Sequence, residues 1–249
     1  MNVKLTQLDT WIARFVANHR PRSSNAWIVV YKHLWGCDNI DGQYIPHLVE
    51  TSSLREKSWK RRAQIAMEYL ARNFGCPVQH VCHMMDQLIR GLNLQSRQRQ
   101  NYLGYGFQFV LKHLIKQIVN IIPLTDVRVD VIHNFSALAR RAPRRKVDLV
   151  LISPSDFRLL ISAKWSLRHD RLRDLLQEAE FFKRYKETIK VFAVTNEFML
   201  GRLRMLAESP WVDHVYHVHL PLLRMCHDNR PLDYMKDLTD LFTDIRRII

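Results

Sequence analysis

Two short apolar segments of this chain carry polar residues whose types suit hydrolytic chemistry. The segments KVDLVLIS and RLLISAK read as two strands joined by a turn centred on Ser155. In a hairpin symmetric about that residue, Asp148 lies opposite Ser162, and Lys164 shares their face because side chains alternate along a strand. An acid, a hydroxyl and an amine on an otherwise apolar hairpin are costly to bury unless they bond to one another or to a ligand. The pattern therefore predicts a site at the open end of this hairpin. The opposite face is predicted to be buried, through Leu149, Leu151, Ile161 and Ala163.

The chemistry that these residues suit is hydrolysis of a phosphodiester. That reaction needs a hard cation to neutralise developing charge, oxygen ligands to hold the cation, and a group that orients or deprotonates water. Asp148 can supply a ligand, and Lys164 an amine that orients the water. One carboxylate is a sparse site for Mg²⁺, and the nearest further acids are Glu178 and Glu180 on the following predicted helix. Spacing alone does not choose between these two.

The net charge indicates the kind of substrate. Lysine and arginine outnumber the acids by 38 to 24, for a formal charge of +14 at pH 7. Such a surface attracts polyanions, with nucleic acid the first candidate and an anionic membrane the second. The basic residues are spread over several predicted elements rather than one amphipathic helix, which weakens the membrane alternative. With no apolar run of spanning length and no secretory cleavage site in the N-terminal segment, a cytoplasmic protein without membrane contact is expected.

Residues 1–95 are predicted to form a helical accessory region. Apolar periodicity and capping residues place helices over 5–19, 26–34, 53–73 and 78–92. Basic side chains recur along this region, and such stripes commonly follow a phosphate backbone; they are Lys57, Lys60, Arg61, Arg62 and Arg90, continued by Arg97 and Arg99. Dimerisation, backbone contact and readout of flanking bases are the roles left open for 1–95.

Residues 96–249 are predicted to form an α/β core. The expected order is a helix over 96–122, strands over 127–133, 146–153 and 158–164, a helix over 167–185, a strand over 190–195, a helix over 198–208, a strand over 214–220 and a last helix over 232–248. Residues 137–145 read as a basic connector. Strands alternating with helices predict a central mixed sheet flanked by helices.

The residues after the second strand carry a resemblance to a known family. The segment SAKWSLRHDR, from Ser162 to Arg171, with Glu178 beyond it, resembles the CCGG group of type II restriction endonucleases. That group is a branch of the PD-(D/E)xK nucleases in which the second acid has moved from the strand to the following helix. The resemblance implies a PD-(D/E)xK restriction-endonuclease-like core over 96–249.

The resemblance also implies roles for the residues of the site. It favours Glu178 over Glu180, with Asp148 and Glu178 as Mg²⁺ ligands, Lys164 beside the attacking water and Ser162 at the vacated acid position. In the family a glutamate often follows a glycine on the first core helix, whereas this chain has Gln108 after GYGF. A neutral amide does not replace a carboxylate at a second metal, so the sequence leaves open whether the site holds one metal or two.

A second role implied by the resemblance is recognition of bases by Arg168, Asp170 and Arg171. Arginine makes two hydrogen bonds to O6 and N7 of guanine, and aspartate accepts from N4 of cytosine, in the major groove. The structural alternative is that Asp170 caps the helix while the arginines pair with Asp174 and Glu178.

The expected function is Mg²⁺-dependent cleavage of both strands of DNA at a palindrome containing CCGG, leaving 5′ overhangs. The resemblance implies a homodimer, in some cases a tetramer, and a cognate DNA methyltransferase in the same restriction-modification system. Two alternatives are an endonuclease reading CCNGG or CCWGG, and a sequence-specific DNA-binding protein in which Asp148 and Lys164 form only a buried pair.

Overall fold

The computed structural model describes the core of the chain and a few positions near its start. The described residues are 6, 9, 10, 12–14, 17, 96–128, 146–152, 158–164, 167–185, 187–197, 199–218, 220–227 and 231–249. The helices predicted over 26–34, 53–73 and 78–92, the basic residues on them, the connector 137–145 and the turn at Ser155 lie outside these residues.

The core is a six-stranded mixed sheet whose strands lie in chain order. They are β1 (Leu124–Arg128), β2 (Lys146–Ile152), β3 (Arg158–Lys164), β4 (Lys190–Thr195), β5 (His214–His217) and β6 (Lys236–Asp237). The strands β1, β2 and β3 pair antiparallel, and β3, β4, β5 and β6 pair parallel. The carboxyl ends of β3, β4 and β5 therefore meet at one edge of the sheet.

Helices flank this sheet, which confirms the predicted α/β class with a central mixed sheet. They are α1 (Ser96–Val119), α2 (His169–Tyr185), α3 (Leu200–Ala207), α4 (Leu220–Cys226) and α5 (Leu238–Ile248). Helix α1 contacts β1, β2, β3 and α5. The buried side of α2 shares one hydrophobic cluster with α3 and the sheet; its members include Leu172, Leu175, Ala179, Phe182, Leu203, Leu206, Val150, Leu160, Val191 and Ala193. This burial fixes α2, and with it the residues that follow β3, against the sheet.

The start of the chain packs on α1. The described positions between 6 and 17 are helical, as predicted for 5–19, and Ile12 is fully buried. Asp9 accepts a hydrogen bond from Lys112 Nζ at 2.8 Å and lies 2.6 Å from His113 Nε2. Burial acts to raise the pKa of Asp9, but these two partners outweigh it and lower that pKa. The described positions near the start of the chain are thus attached to α1.

Several predicted boundaries were wrong, each for a local reason. Helix α1 ends at Val119 rather than 122, because Asn120 adopts a left-handed φ of 62° and its N–H bonds to Lys116 O, a common helix end. The next strand begins at Leu124 rather than 127, and its predicted part beyond 128 lies outside the described residues. The strand predicted over 214–220 ends at His217, and α4 follows it. The last helix begins at Leu238 rather than 232, after the short strand β6.

In the part of the chain that the structure describes, none of the helices combines the length and the apolar character needed to cross a bilayer.

Candidate active site

The predicted hairpin register is confirmed. Leu149 pairs with Ile161 and Val150 with Leu160 across β2 and β3, which puts Asp148 beside Ser162. Lys164 Nζ donates to Asp148 Oδ2 at 2.6 Å, and Ser162 Oγ donates to the same oxygen at 3.4 Å. The acid, the hydroxyl and the amine therefore meet as the sequence predicts.

The Asp148 carboxylate is held by further donors from two elements. The backbone N–H of Ala163 donates to Oδ2 at 2.9 Å, and Gln108 Nε2, on α1, donates to Oδ1 at 2.8 Å. Donors on both oxygens prevent the carboxyl group from rotating. A carboxylate fixed in this way is oriented before any ligand arrives.

Lys164 and Asp148 are largely shielded from solvent but remain accessible. The side chains of Lys164 and Asp148 are 17% and 14% exposed. The face opposite them is buried as predicted, through Leu149, Leu151, Ile161 and Ala163. Charges in such a partly desolvated place interact more strongly than they do in water, yet a substrate can still reach them.

Gln108 presents a second oxygen at this site. Its Oε1 is buried and has no hydrogen-bond partner among the described residues, while its Nε2 is used by Asp148. Mg²⁺ prefers hard oxygen ligands such as carboxylates and amide carbonyls. The Asp148 carboxylate, the Ser162 hydroxyl and the Gln108 carbonyl oxygen fit that preference. No group of three or more His, Cys, Asp or Glu suited to a metal occurs within the described ranges.

The two candidate second acids lie on α2. Glu180 is in an ion pair with Arg184, 2.7 Å apart, at the i, i+4 spacing that stabilises helices. Glu178 lies half-buried beside the buried Ala179. The role of Glu178 as a metal ligand stays a prediction.

The three residues predicted to read bases, Arg168, Asp170 and Arg171, lie at the start of α2. The carbonyl oxygen of Arg168 accepts from Leu172 N at 2.9 Å, so the first turn of the helix closes on Arg168. Arg168 Nη2 lies 3.1 Å from Asp170 Oδ2, and their side chains are 62% and 55% exposed. Arg171 is also exposed. The structural alternative has Asp170 capping the helix while the arginines pair with Asp174 and Glu178. Asp170 accepts a hydrogen bond from the backbone N–H of Arg171, as a cap would, whereas the ion pair of Arg168 is with Asp170. Base reading by these residues stays a prediction.

The charge of Asp170 is favoured by its neighbours. Slight desolvation raises the pKa of Asp170, but a hydrogen bond from the backbone N–H of Arg171 and the charge of Arg168 outweigh it and lower that pKa below its usual value. The group is therefore an ionised acceptor at neutral pH, which is the form needed to bind the amino group of a cytosine.

Two residues at the same edge of the sheet did not emerge from the sequence. Asn196 is fully buried with both polar atoms of its amide unpartnered among the described residues, and Glu197 is 6% exposed. Both directly follow β4. A polar TNE segment after a buried apolar strand was the available signal, because ligands in α/β sheets bind beyond the carboxyl ends of parallel strands.

The chain resembles solved structures of restriction endonucleases at low identity. The complex of restriction endonuclease PspGI with substrate DNA gives a TM-score of 0.48 and 13% identity, covering 98% of this chain and 92% of that one. Metal-depleted Ecl18kI in complex with uncleaved DNA gives 0.42 and 15%, covering 98% and 84%. No family model matches the chain, and no curated protein matches it significantly. Because the identities are low, the assignment of chemistry rests on the residues of this chain's own site.

Proposed function

We propose that this chain is a Mg²⁺-dependent, site-specific DNA endonuclease of the type II restriction class. The observation that carries the proposal is the Asp148 carboxylate, oriented by Gln108 and Ala163 with Lys164 2.6 Å from it, immediately ahead of the exposed arginine and aspartate cluster of α2. A site for cutting and a cluster for reading bases thus follow one another in the chain. The order of helix, three strands, helix and strand agrees with the PD-(D/E)xK core that the motif implies.

The proposed catalytic roles follow from the chemistry of each group. Asp148 and Glu178 would hold Mg²⁺, which would supply positive charge to neutralise the scissile phosphate. The Lys164 ammonium donates a hydrogen bond that orients the attacking water and stabilises the negative charge that develops on the phosphate oxygens. Ser162 supplies a hydroxyl to Asp148 where related nucleases carry an acid. The Gln108 carbonyl oxygen, which has no hydrogen-bond partner among the described residues, would be a further, neutral ligand.

The proposed recognition follows from Arg168, Asp170 and Arg171. The two guanidinium groups bind O6 and N7 of guanines, and the aspartate accepts from N4 of a cytosine. A palindrome containing CCGG is the proposed target, read by a homodimer with one active site for each strand and cut to leave 5′ overhangs. The net charge of +14 supplies the attraction to the phosphate backbone, and a cognate methyltransferase would protect the host DNA.

Digestion of a fully sequenced plasmid in Mg²⁺, with both ends of every fragment mapped, tests the proposal. We expect cuts at CCGG-containing palindromes that disappear when EDTA is added. Cuts at CCNGG or CCWGG would instead support the related endonuclease. Specific binding without any cut, in Mg²⁺ or Mn²⁺, would support the non-cutting DNA-binding protein and overturn the enzyme.

A further inference from the structure

Glu197 is a buried acid that contacts Leu167, in the segment joining Lys164 to the proposed base-reading cluster. Glu197 lies two residues after Thr195, the last residue of β4. Thr195 is the register partner of Lys164 in β3. The Glu197 N–H donates to Thr195 Oγ1 at 3.2 Å, and His217, at the end of β5, donates from Nε2 to the Glu197 carbonyl oxygen at 3.0 Å. The backbone of Glu197 is therefore fixed at the carboxyl ends of the parallel strands.

The carboxylate of Glu197 joins two connections of the fold. Its Oε2 accepts from the N–H of Leu167 at 2.8 Å, and its Oε1 accepts from the N–H of Met199 at 2.9 Å. Arg202 Nη1, on α3, lies 3.4 Å from Oε2. Leu167 belongs to the connection from β3 to α2, and Met199 to the connection from β4 to α3. One side chain thus ties these connections together at the edge that carries Lys164.

The residue that this carboxylate holds directly precedes Arg168. The N–H of Leu167 is fixed by Glu197, and the Leu167 side chain is fully buried. The first turn of α2 then closes on Arg168. The place where the base-reading cluster starts is therefore set by Glu197 and by the apolar core, because Arg168 and Asp170 are themselves exposed.

We propose that Glu197 is a positioning residue that determines sequence specificity. It holds the start of α2 at a fixed place relative to Lys164, so that correct contacts to bases coincide with correct placement of the scissile phosphate. The inference rests on the proposed endonuclease function and deepens it. Backbone phosphate contacts tolerate small shifts, whereas a bidentate arginine contact to guanine does not. Loosening this anchor therefore harms discrimination more than it harms affinity for DNA.

The test compares Glu197→Gln with the wild type. Glutamine keeps the size of the side chain but turns one acceptor oxygen into an NH₂ group, so one of the two backbone N–H groups loses its partner. The measured quantity is the ratio of kcat/KM for a CCGG duplex to kcat/KM for duplexes with one base pair changed. We expect the ratio to fall about tenfold, the scale of one bidentate base contact, with a smaller change in affinity for nonspecific DNA. Amide hydrogen exchange at Leu167 should become faster.

Asp213→Asn is the matched control. Asp213 is a partly buried carboxylate that accepts from the N–H of Val191 at 2.8 Å and pairs with Lys183 and Lys190, at the amino ends of β4 and β5. Loss of the Asp213 carboxylate should lower the stability of the fold while leaving the discrimination ratio and the hydrogen exchange at Leu167 unchanged. Glu197→Asp, which retains the charge but has a shorter reach, serves as a second variant if Glu197→Gln does not fold.

Separate outcomes overturn the two proposals. A wild type that cuts no CCGG DNA overturns the proposed function, and the discrimination ratio is then taken from binding of the same duplexes in Ca²⁺. An unchanged ratio in the Glu197 variants overturns the positioning role, whether or not the exchange at Leu167 accelerates. Equal loss of discrimination in Asp213→Asn would show a general effect of instability and would also overturn it.

Discussion

Lys164 and Asp148 face each other across β2 and β3, with Nζ of the lysine 2.6 Å from Oδ2 of the aspartate. The same oxygen accepts the N–H of Ala163, and the other oxygen accepts Gln108 Nε2. This contact is expected whether Lys164 and Asp148 are a buried structural pair or a catalytic pair. The two interpretations differ in what happens when the lysine is removed.

Replacement of Lys164 by alanine should abolish cleavage while preserving specific binding. The lysine contacts Asp148 rather than belonging to the residues proposed to read bases, so we expect kcat to fall by about 10³-fold, the scale of a lost electrostatic contact to the transition state. Binding of CCGG DNA in Ca²⁺ should stay within about tenfold. Single-turnover cleavage and fluorescence anisotropy measure the two quantities.

Lys190→Ala provides the control for a lost lysine. Lys190 Nζ is also paired with an acid, Asp213, at 3.0 Å. Lys190 is the first residue of β4, whereas Lys164 lies beside Thr195, the last residue of that strand. Replacement of Lys190 should leave kcat near the wild-type value. Cleavage by Lys164→Ala at the wild-type rate would contradict a catalytic role for this lysine.

Replacement of Gln108 by glutamate should tighten binding of a divalent cation. The change adds a second carboxylate next to Asp148 and removes the Nε2 donor, so the two acids repel each other until a cation is bound. We expect the dissociation constant for Ca²⁺ or Mn²⁺ to decrease by about tenfold, because the charge of the ligands sets affinity at such sites. Isothermal titration calorimetry without DNA measures it, and the thermal stabilisation by metal should increase in parallel.

Gln108→Ala is the opposite change, because it removes both the donor and the oxygen. Metal affinity should then fall below that of the wild type. The same affinity in all three proteins would show that Gln108 is not next to the cation.

Replacement of Arg168 by alanine should reduce cleavage more than binding. Arg168 directly follows the anchored Leu167, and its guanidinium is exposed beside Asp170. Loss of one bidentate contact costs about 1–3 kcal/mol of discrimination, and the closeness to Lys164 should transfer that loss to catalysis. Rates and affinities for a CCGG duplex measure both effects, and Arg173→Ala, an exposed position on the same helix, should change neither. A larger loss in binding than in cleavage would refute the proposed coupling.

Asp213 should make the fold sensitive to acid. Desolvation acts to raise the pKa of Asp213, but hydrogen bonds from Lys183, the N–H of Val191 and Lys190 outweigh it, so the pKa lies below the usual 3.8. A carboxyl group with a lowered pKa in the folded state contributes stability above its unfolded pKa, and loses it as the pH falls through the folded pKa. Urea unfolding at pH 7, 4 and 2.5 should therefore show a smaller loss of stability on acidification in Asp213→Asn than in the wild type.

That variant should already be less stable at pH 7, by about 1–3 kcal/mol, since two lysines and a backbone N–H lose a charged acceptor. Parallel pH profiles for the two proteins would show that Asp213 does not contribute to the acid sensitivity.

The hairpin could be predicted from the sequence because two apolar strands flank a short polar turn. Symmetry about Ser155 places Asp148 beside Ser162, and the alternation of side chains places Lys164 on the same face. The strand β6, with two residues, is too short for any alternation to be seen. Helix α4 was missed because LPLLRMC continues the apolar character of β5, so periodicity does not separate the strand from the helix. The extended end predicted for β5 was wrong for the same reason.

Some contacts of the site could likewise be predicted from the sequence, and others could not. Asp148, Ser162 and Lys164 could be brought together from the pairing of adjacent strands. In the sequence Gln108 differs from a family pattern, but its contact with Asp148 could not be predicted because it joins residues far apart in the chain. Glu197 could not be predicted, because its role depends on backbone N–H groups of two other segments. Every residue other than proline has a backbone N–H, so the sequence does not show which ones need an acceptor.

Helix α2 is attached to the core along one side and by its last turns, while its first residues project into solvent. Leu172, Leu175, Ala179 and Phe182 are buried, whereas the side chains at 168–171 are exposed. Substitutions at exposed positions generally change stability by less than about 0.5 kcal/mol. New combinations of residues at 168, 170 and 171 should therefore accumulate without loss of folding. This protein is thus evolvable at the positions proposed to choose its target, and a library randomised there would explore new DNA sequences on an unchanged scaffold.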